Sequence, residues 1–218
     1  MMSVLVSSLF IYNTKNALSN DAFNKLSSVA ESVQRIRLDK KMAAAQTAKS
    51  IQSDCPDLLW LVRDFSLTET KSADDAFNEF MEAEEKPDRD EYATKKEFDR
   101  VLSEVNNRNE IRESLRKAFR SHRCFYMRQP ELDANSSQKM TQTDLLKSLD
   151  TIDEKDFSEE FRSDIEKLCT FVARTIKPKC IRDKMFDGKS FVEFLKLIVE
   201  AVNSEKTIFL HDAVRRIQ

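Results

Sequence analysis

The stretch Leu58-Leu59-Trp60-Leu61-Val62, followed at once by Arg63-Asp64, constrains this chain more than any other. Five consecutive apolar residues suit a strand buried on both faces, the condition of a strand inside a parallel sheet. Such a sheet places ligand-binding residues just beyond the carboxyl ends of its strands. Arg63 and Asp64 therefore stand where a polar ligand would be read, although a solvated ion pair would suit the same position.

The rest of the 218 residues supplies the partners such a strand needs, in a length that suits one domain with a substantial core. Val4 to Tyr12 reads as a buried strand ending at Asn13. Ser19-Asn20-Asp21 offers capping side chains, and Ala22, Leu26, Val29, Val33 and Ile36 recur at helical spacing to about Leu38. Asp39 to Asp54 reads as a polar connector. Glu69 to Asp99, with 12 acidic residues against 5 basic, is weakly periodic and reads as a surface insertion. Asn109 to Phe119 predicts a helix, with Ile111, Leu115, Ala118 and Phe119 on one face. Cys124-Phe125-Tyr126-Met127 predicts a third strand, stopped by Pro130. Leu132 to Lys155 reads as a loop with a short helix near Leu145. Two amphipathic helices follow: Asp156 to Ile176, burying Phe157, Phe161, Ile165, Leu168 and Val172, and Lys189 to Asn203, burying Phe191, Phe194, Leu195, Ile198 and Val202. Glu205 to Gln218 resembles the opening of another helix. The alternation predicts an α/β fold, with a partial doubly wound, mostly parallel sheet of about three strands flanked by helices.

Several chemistries are disfavoured. A net charge of −2 gives no general pull toward nucleic acid or anionic membrane. The 7 arginines and lysines between Arg108 and Arg128 lack aromatic interleaving and read as the solvated face of a helix, so no nucleic-acid partner is expected. Cys55, Cys124, Cys169 and Cys180 follow no metal-ligand spacing. His122 and His211 have no neighbours that would make a triad or a metal site. No apolar run approaches the ~20 residues that span a bilayer, and the start lacks a basic leader, so a cytoplasmic protein with reduced thiols is expected. Gly188-Lys189-Ser190 imitates the tail of a phosphate-binding loop. Gly188 is the single glycine, and Asp183 stands where that pattern needs another, so a turn glycine opening a helix is the better reading.

The segment Cys55 to Leu67 resembles the guanine-recognition segment of guanylate-binding proteins, large GTPases related to atlastins and dynamins. The resemblance continues in order through Ser3 to Asn13, Val29-Ala30-Glu31, Arg35-Ile36-Arg37, Asp90-Glu91-Tyr92, Ile111 to Leu115, Arg123-Cys124-Phe125, Pro130 and Asp187-Gly188. It implies a guanine nucleotide, GTP or GDP, as ligand. Asp64 would accept from N1–H and the 2-amino group of guanine, and Arg63 would lie along the base. Arg128-Gln129-Pro130 falls at a second base-contacting segment, where Gln129 replaces the family's arginine. The resemblance places the G-x-x-x-x-G-K-S loop, the switch threonine and an Asp-Thr-Glu-Gly segment before Met1. Residues 1–203 would then be the carboxyl-terminal part of a GTPase domain, and 204–218 the start of a helical stalk. Mg²⁺ is implied by the family, without ligands here, and no catalytic residue is assigned. Hydrolysis by the chain alone is not expected. A pseudo-GTPase acting as an interaction module is the other reading. The first strand would lie at a sheet edge, which predicts poor solubility, a homodimer, or a partner covering that edge.

Overall fold

The apolar run does lie inside a parallel sheet. In a computed structural model that describes residues 4, 6–37, 55–65, 71–136, 138–181 and 184–203, strand β2 (Asp57–Arg63) is hydrogen-bonded between β1 (Leu9–Lys15) and β3 (His122–Met127). Both pairings are parallel, with Leu9 opposite Asp57, Lys15 opposite Arg63, and Arg63 opposite Met127. Leu58 to Val62 are all buried, and burial ends at Arg63. A strand paired on both sides has its backbone polar groups satisfied and can present apolar residues to both faces.

Helices α1 (Asn20–Arg37), α2 (Ala73–Met81), α3 (Lys95–Ala118), α4 (Gln142–Lys147), α5 (Glu159–Thr175) and α6 (Gly188–Asn203) flank the sheet, with a two-residue ribbon pair, β4 (Cys180–Ile181) and β5 (Lys184–Met185), before α6. Trp60 is fully buried and is the hub of the core. Its indole meets the rings of Tyr12, Phe23, Phe77 and Phe80, and its Nε1 donates to Thr14 Oγ1 at 2.8 Å. A buried indole needs a partner for its N–H, and β1 supplies it. Leu145, Phe157 and Phe161 form a smaller apolar cluster.

Four expectations are corrected. First, β1 begins at Leu9 rather than Val4 and runs on to Lys15; Val4 and Val6 are helical, with Val4 fully buried. The ladder starts where its partner does, since Asp57 follows Pro56, which has no N–H to give. Second, Glu69 to Asp99 is not simply a surface insertion. Its α2 buries Phe77 and Met81 in the main core, and Ser72 caps it by accepting from Asp75 N–H at 3.2 Å. Ala73, Phe77, Phe80 and Met81 carry the helical period that the many acids obscured. Third, the helix predicted at Asn109 begins at Lys95, capped by Thr94, whose hydroxyl accepts from Glu97 N–H at 3.2 Å. Fourth, Ile165 of α5 is 40% exposed, while Asp164 beside it is buried. The connector Asp39 to Asp54 and the segment Glu205 to Gln218 lie outside the described residues.

The basic run is also corrected, because much of it is engaged within the fold. Arg108 forks onto Glu84 (Nε to Oε1 2.8 Å, Nη2 to Oε2 2.5 Å), and the buried Arg112 donates to Glu84 Oε1 at 2.7 Å and to the Phe80 carbonyl at 3.0 Å. Arg116 bonds the Met81 carbonyl, Arg120 bonds Asp57, and Arg123 pairs with Asp74 at 2.9 Å. Apart from the Arg120 bond to Asp57 of β2, these contacts tie α3 and β3 to the acidic segment.

A hydrogen bond from Arg108 is the largest influence on the Glu84 carboxyl; burial opposes it, and with a further bond from Arg112 and the charges of both arginines the group is held down to about 2. A depressed folded-state value means that this stabilisation is complete above the unfolded pKa and is lost as pH falls toward the folded one. Replacing Glu84 with Gln (E84Q) is expected to cost about 1–3 kcal/mol at neutral pH, because Arg112 is left without its anion. Urea unfolding between pH 7 and pH 2 should show a shallower acid limb for E84Q than for the wild type. Parallel limbs would refute the role given to Glu84.

Candidate functional site

The carboxyl ends of the three strands lie abreast, with Lys15, Arg63 and Met127 in one row. Immediately beyond, Asp64 adopts φ 56°, in the left-handed region. Aspartate and asparagine are among the few residues other than glycine that enter it readily. Asn16, the residue after β1, does the same with φ 73°. The turn is tied on both sides. Asn16 N–H donates to the Arg63 carbonyl at 2.8 Å, and Phe65 N–H donates to the Met127 carbonyl at 3.1 Å. Residue 63 is thereby fastened to β1 and residue 65 to β3, with Asp64 fixed between them.

The side chains follow from this backbone. Arg63 is exposed, and its Nε donates to Asn13 Oδ1 at 2.6 Å, which fixes the guanidinium from its inner edge. The Asp64 side chain is only 15% exposed, and Lys15 Nζ stands 3.4 Å from its Oδ2. Phe65 stacks on Tyr126, with centroids 4.0 Å apart and planes 10° from parallel. The end of the central strand thus carries a largely covered carboxylate, two cations and an aromatic stack. A fixed carboxylate is an acceptor pair for two neighbouring N–H donors, and a guanidinium plane can cover a π face.

Of the residues singled out in the sequence, Arg63 and Asp64 are at this end together. The loop Arg128-Gln129-Pro130 leaves β3 at the same end, but Arg128 is drawn to α5: its N–H donates to Asp164 Oδ2 at 3.2 Å, and its Nε lies 3.9 Å from the same oxygen. Gln142 Nε2 holds the Pro130 carbonyl at 2.8 Å. Gly188 opens α6, and Asp187 caps the helix by accepting from Ser190 N–H at 2.7 Å. His122 is largely buried, which pushes its imidazole down, and it lies against the Leu115 carbonyl; His211 is outside the described residues. Among the described residues there is no group of three or more His, Cys, Asp or Glu that could hold a metal ion. None of the described helices is long and apolar enough to cross a membrane. Asn13, Lys15 and Asn16 belong to the site without having been singled out for it. Ending the first strand near Tyr12 hid them; the signal was the Asn-Thr-Lys-Asn run, which ends that strand in polar residues as Arg63-Asp64 ends β2.

Parallel strands joined through helices, with polar residues gathered at the carboxyl ends, define an α/β domain of the doubly wound class. Residues 1–179 match the family model "Guanylate-binding protein, N-terminal domain", and the chain belongs to the guanylate-binding protein family. Guanylate-binding protein 4 of Homo sapiens is 27% identical over 98% of this chain and 31% of its own length, and guanylate-binding protein 4 of Mus musculus gives the same values. Guanylate-binding protein 7 of Homo sapiens is 25% identical over the same shares. The chain thus spans about a third of the length of the curated relatives it matches.

The backbone at Asp64 separates two substitutions. Asn tolerates the left-handed conformation, whereas Ala pays about 1–2 kcal/mol for it. The Lys15 pair that both variants lose is worth at most about 1 kcal/mol on an exposed partner. Urea unfolding is therefore expected to place D64N close to the wild type and D64A clearly below both. Equal stabilities for D64N and D64A would contradict the strained turn.

Proposed function

We propose that this chain binds guanine nucleotides through their base, as the base-recognising part of a guanylate-binding-protein GTPase domain. The observation that carries the reading is the position of Asp64: a mostly covered carboxylate at the carboxyl end of the central parallel strand, beside an exposed arginine. Its two oxygens accept from N1–H and the 2-amino group of guanine, and Arg63 lies along the ring. Adenine lacks that donor pair, so its rejection is worth about 1–3 kcal/mol, by analogy with other bidentate base contacts. In this reading residues 1–203 are the carboxyl-terminal part of the GTPase domain and residues 204–218 begin the stalk. The protein acts in the cytoplasm.

GTP hydrolysis depends on a backbone cradle, a lysine and Mg²⁺ around the phosphates. The 218 residues contain no G-x-x-x-x-G-K-S pattern. We therefore assign base selection to these residues and phosphate chemistry to none of them, so the chain on its own serves as a nucleotide-binding or interaction module. β1 is the outer strand of the described sheet, and Ile11 on it is 42% exposed. This edge is open, among the described residues, to a further strand of the same domain, a second copy or another chain.

Two measurements test this. Calorimetric titration of the 218-residue chain should show GDP bound more tightly than ADP, with D64N losing about 10- to 100-fold of that preference. Equal affinity for the two nucleotides would defeat the reading. GTP turnover by the same chain should not exceed that of D64N, and clear turnover would defeat the assignment of phosphate chemistry elsewhere.

A further inference from the structure

We propose that Lys15 is a specificity residue of this site and that its ammonium reads O6 of the guanine held by Asp64. The inference rests on the base-reading role of Asp64. The parallel register sets Lys15 opposite Arg63 at the last rung of the β1–β2 ladder, next to the turn that holds Asp64. Its Nζ is 3.4 Å from Asp64 Oδ2, longer than the ~2.7–2.9 Å of a charge-assisted hydrogen bond. The ammonium thus stands beside the carboxylate rather than closed upon it, with three protons to direct.

The order of these groups suits the Watson–Crick edge of guanine, which presents in order an acceptor (O6), a donor (N1–H) and a donor (the 2-amino group). Lys15 Nζ, Asp64 Oδ2 and Asp64 Oδ1 present a donor and two acceptors. This is the order that cytosine offers the same edge. Adenine would bring its 6-amino donor against the ammonium and its bare N1 against the carboxylate, and both contacts are repulsive. The other two cations at this end are placed differently: Arg63, whose Nε is bound to Asn13 Oδ1 at 2.6 Å, is the residue read as lying along the base, and the nearest carboxylate to Arg128 is Asp164 of α5, at 3.9 Å. Lys15 is 62% exposed, so its stem has room for the small shift that brings Nζ onto O6.

Affinities of the 218-residue chain for GDP and 6-thio-GDP, measured by calorimetry at neutral pH, test the assignment. The thio analogue keeps N1–H and the 2-amino group and replaces O6 with a poor acceptor. The wild type is expected to prefer GDP about tenfold, the scale of one charge-assisted hydrogen bond. K15M should bind GDP about tenfold more weakly, leave 6-thio-GDP unchanged and so lose the preference, while K15R should keep part of it. Thermal unfolding of K15M, a change at an exposed position, confirms that the fold is intact. A preference retained in K15M, or tighter GDP binding by K15M, overturns the role of Lys15 alone. Failure of the wild type to bind GDP any better than D64N overturns the role of Asp64 and, with it, that of Lys15.

Discussion

The two-sided pairing of β2 is the interaction on which the rest of this domain depends. Because both backbone edges of β2 are hydrogen-bonded, Leu58 to Val62 can all be apolar and buried. Trp60 then converts packing into register. Its ring is enclosed by Phe23, Phe77, Phe80 and Tyr12, and its N–H reaches Thr14 on the neighbouring strand. A slip of β1 by one residue would turn every side chain of that strand to the other face. It would break the Trp60–Thr14 bond and carry Lys15 away from Asp64. The geometry at the ligand end is thus fixed from within the core.

Charge is used differently on the two sides of the molecule. The acidic and basic blocks that stand out in the sequence meet in the fold, with Glu84 receiving Arg108 and the buried Arg112. A buried guanidinium costs desolvation unless it is fully bonded, and Arg112 meets that cost with the Phe80 carbonyl, Asn109 and Glu84. The rings of Phe23 and Phe80 lie 5.7 and 5.9 Å from it, adding cation–π contacts within the core. Within the basic run, which reads as a solvated helix face, Arg108 and the buried Arg112 form an internal brace between α3 and the segment after α2. At the carboxyl end of the sheet, by contrast, Lys15 and Arg63 are exposed.

The central strand, its direction and its charged end were legible because burial on both faces leaves an unbroken apolar run. The third strand, the short helix near Leu145 and the two late helices were legible through ordinary periodicity. What was not legible depends on partners. The start of β1 is set by where β2 begins to pair. Glu69 to Asp99 hides a core helix because its exposed positions are so rich in acids that they mask Phe77 and Met81. Asp164 is buried in place of Ile165 because the end of β3 offers Arg128 as a partner. For Lys15 the polar Asn-Thr-Lys-Asn run marks a strand end, but its place beside Asp64 is defined only by the rung it shares with Arg63.

The same rung explains how base selection can stand apart from phosphate chemistry. Reading a base edge needs few groups, held at fixed angles, and the bonds from Asn16 to Arg63 and from Phe65 to Met127 provide that rigidity around Asp64. Holding a triphosphate needs instead a concentration of positive charge and backbone donors. GDP and ADP share the diphosphate, so whatever it contributes cancels in the ratio of their affinities. On the proposed reading that ratio belongs to the strand ends. A domain can therefore draw most of its affinity from one segment and its discrimination from another, and on the proposed reading the discrimination would reside where β1 and β2 finish together.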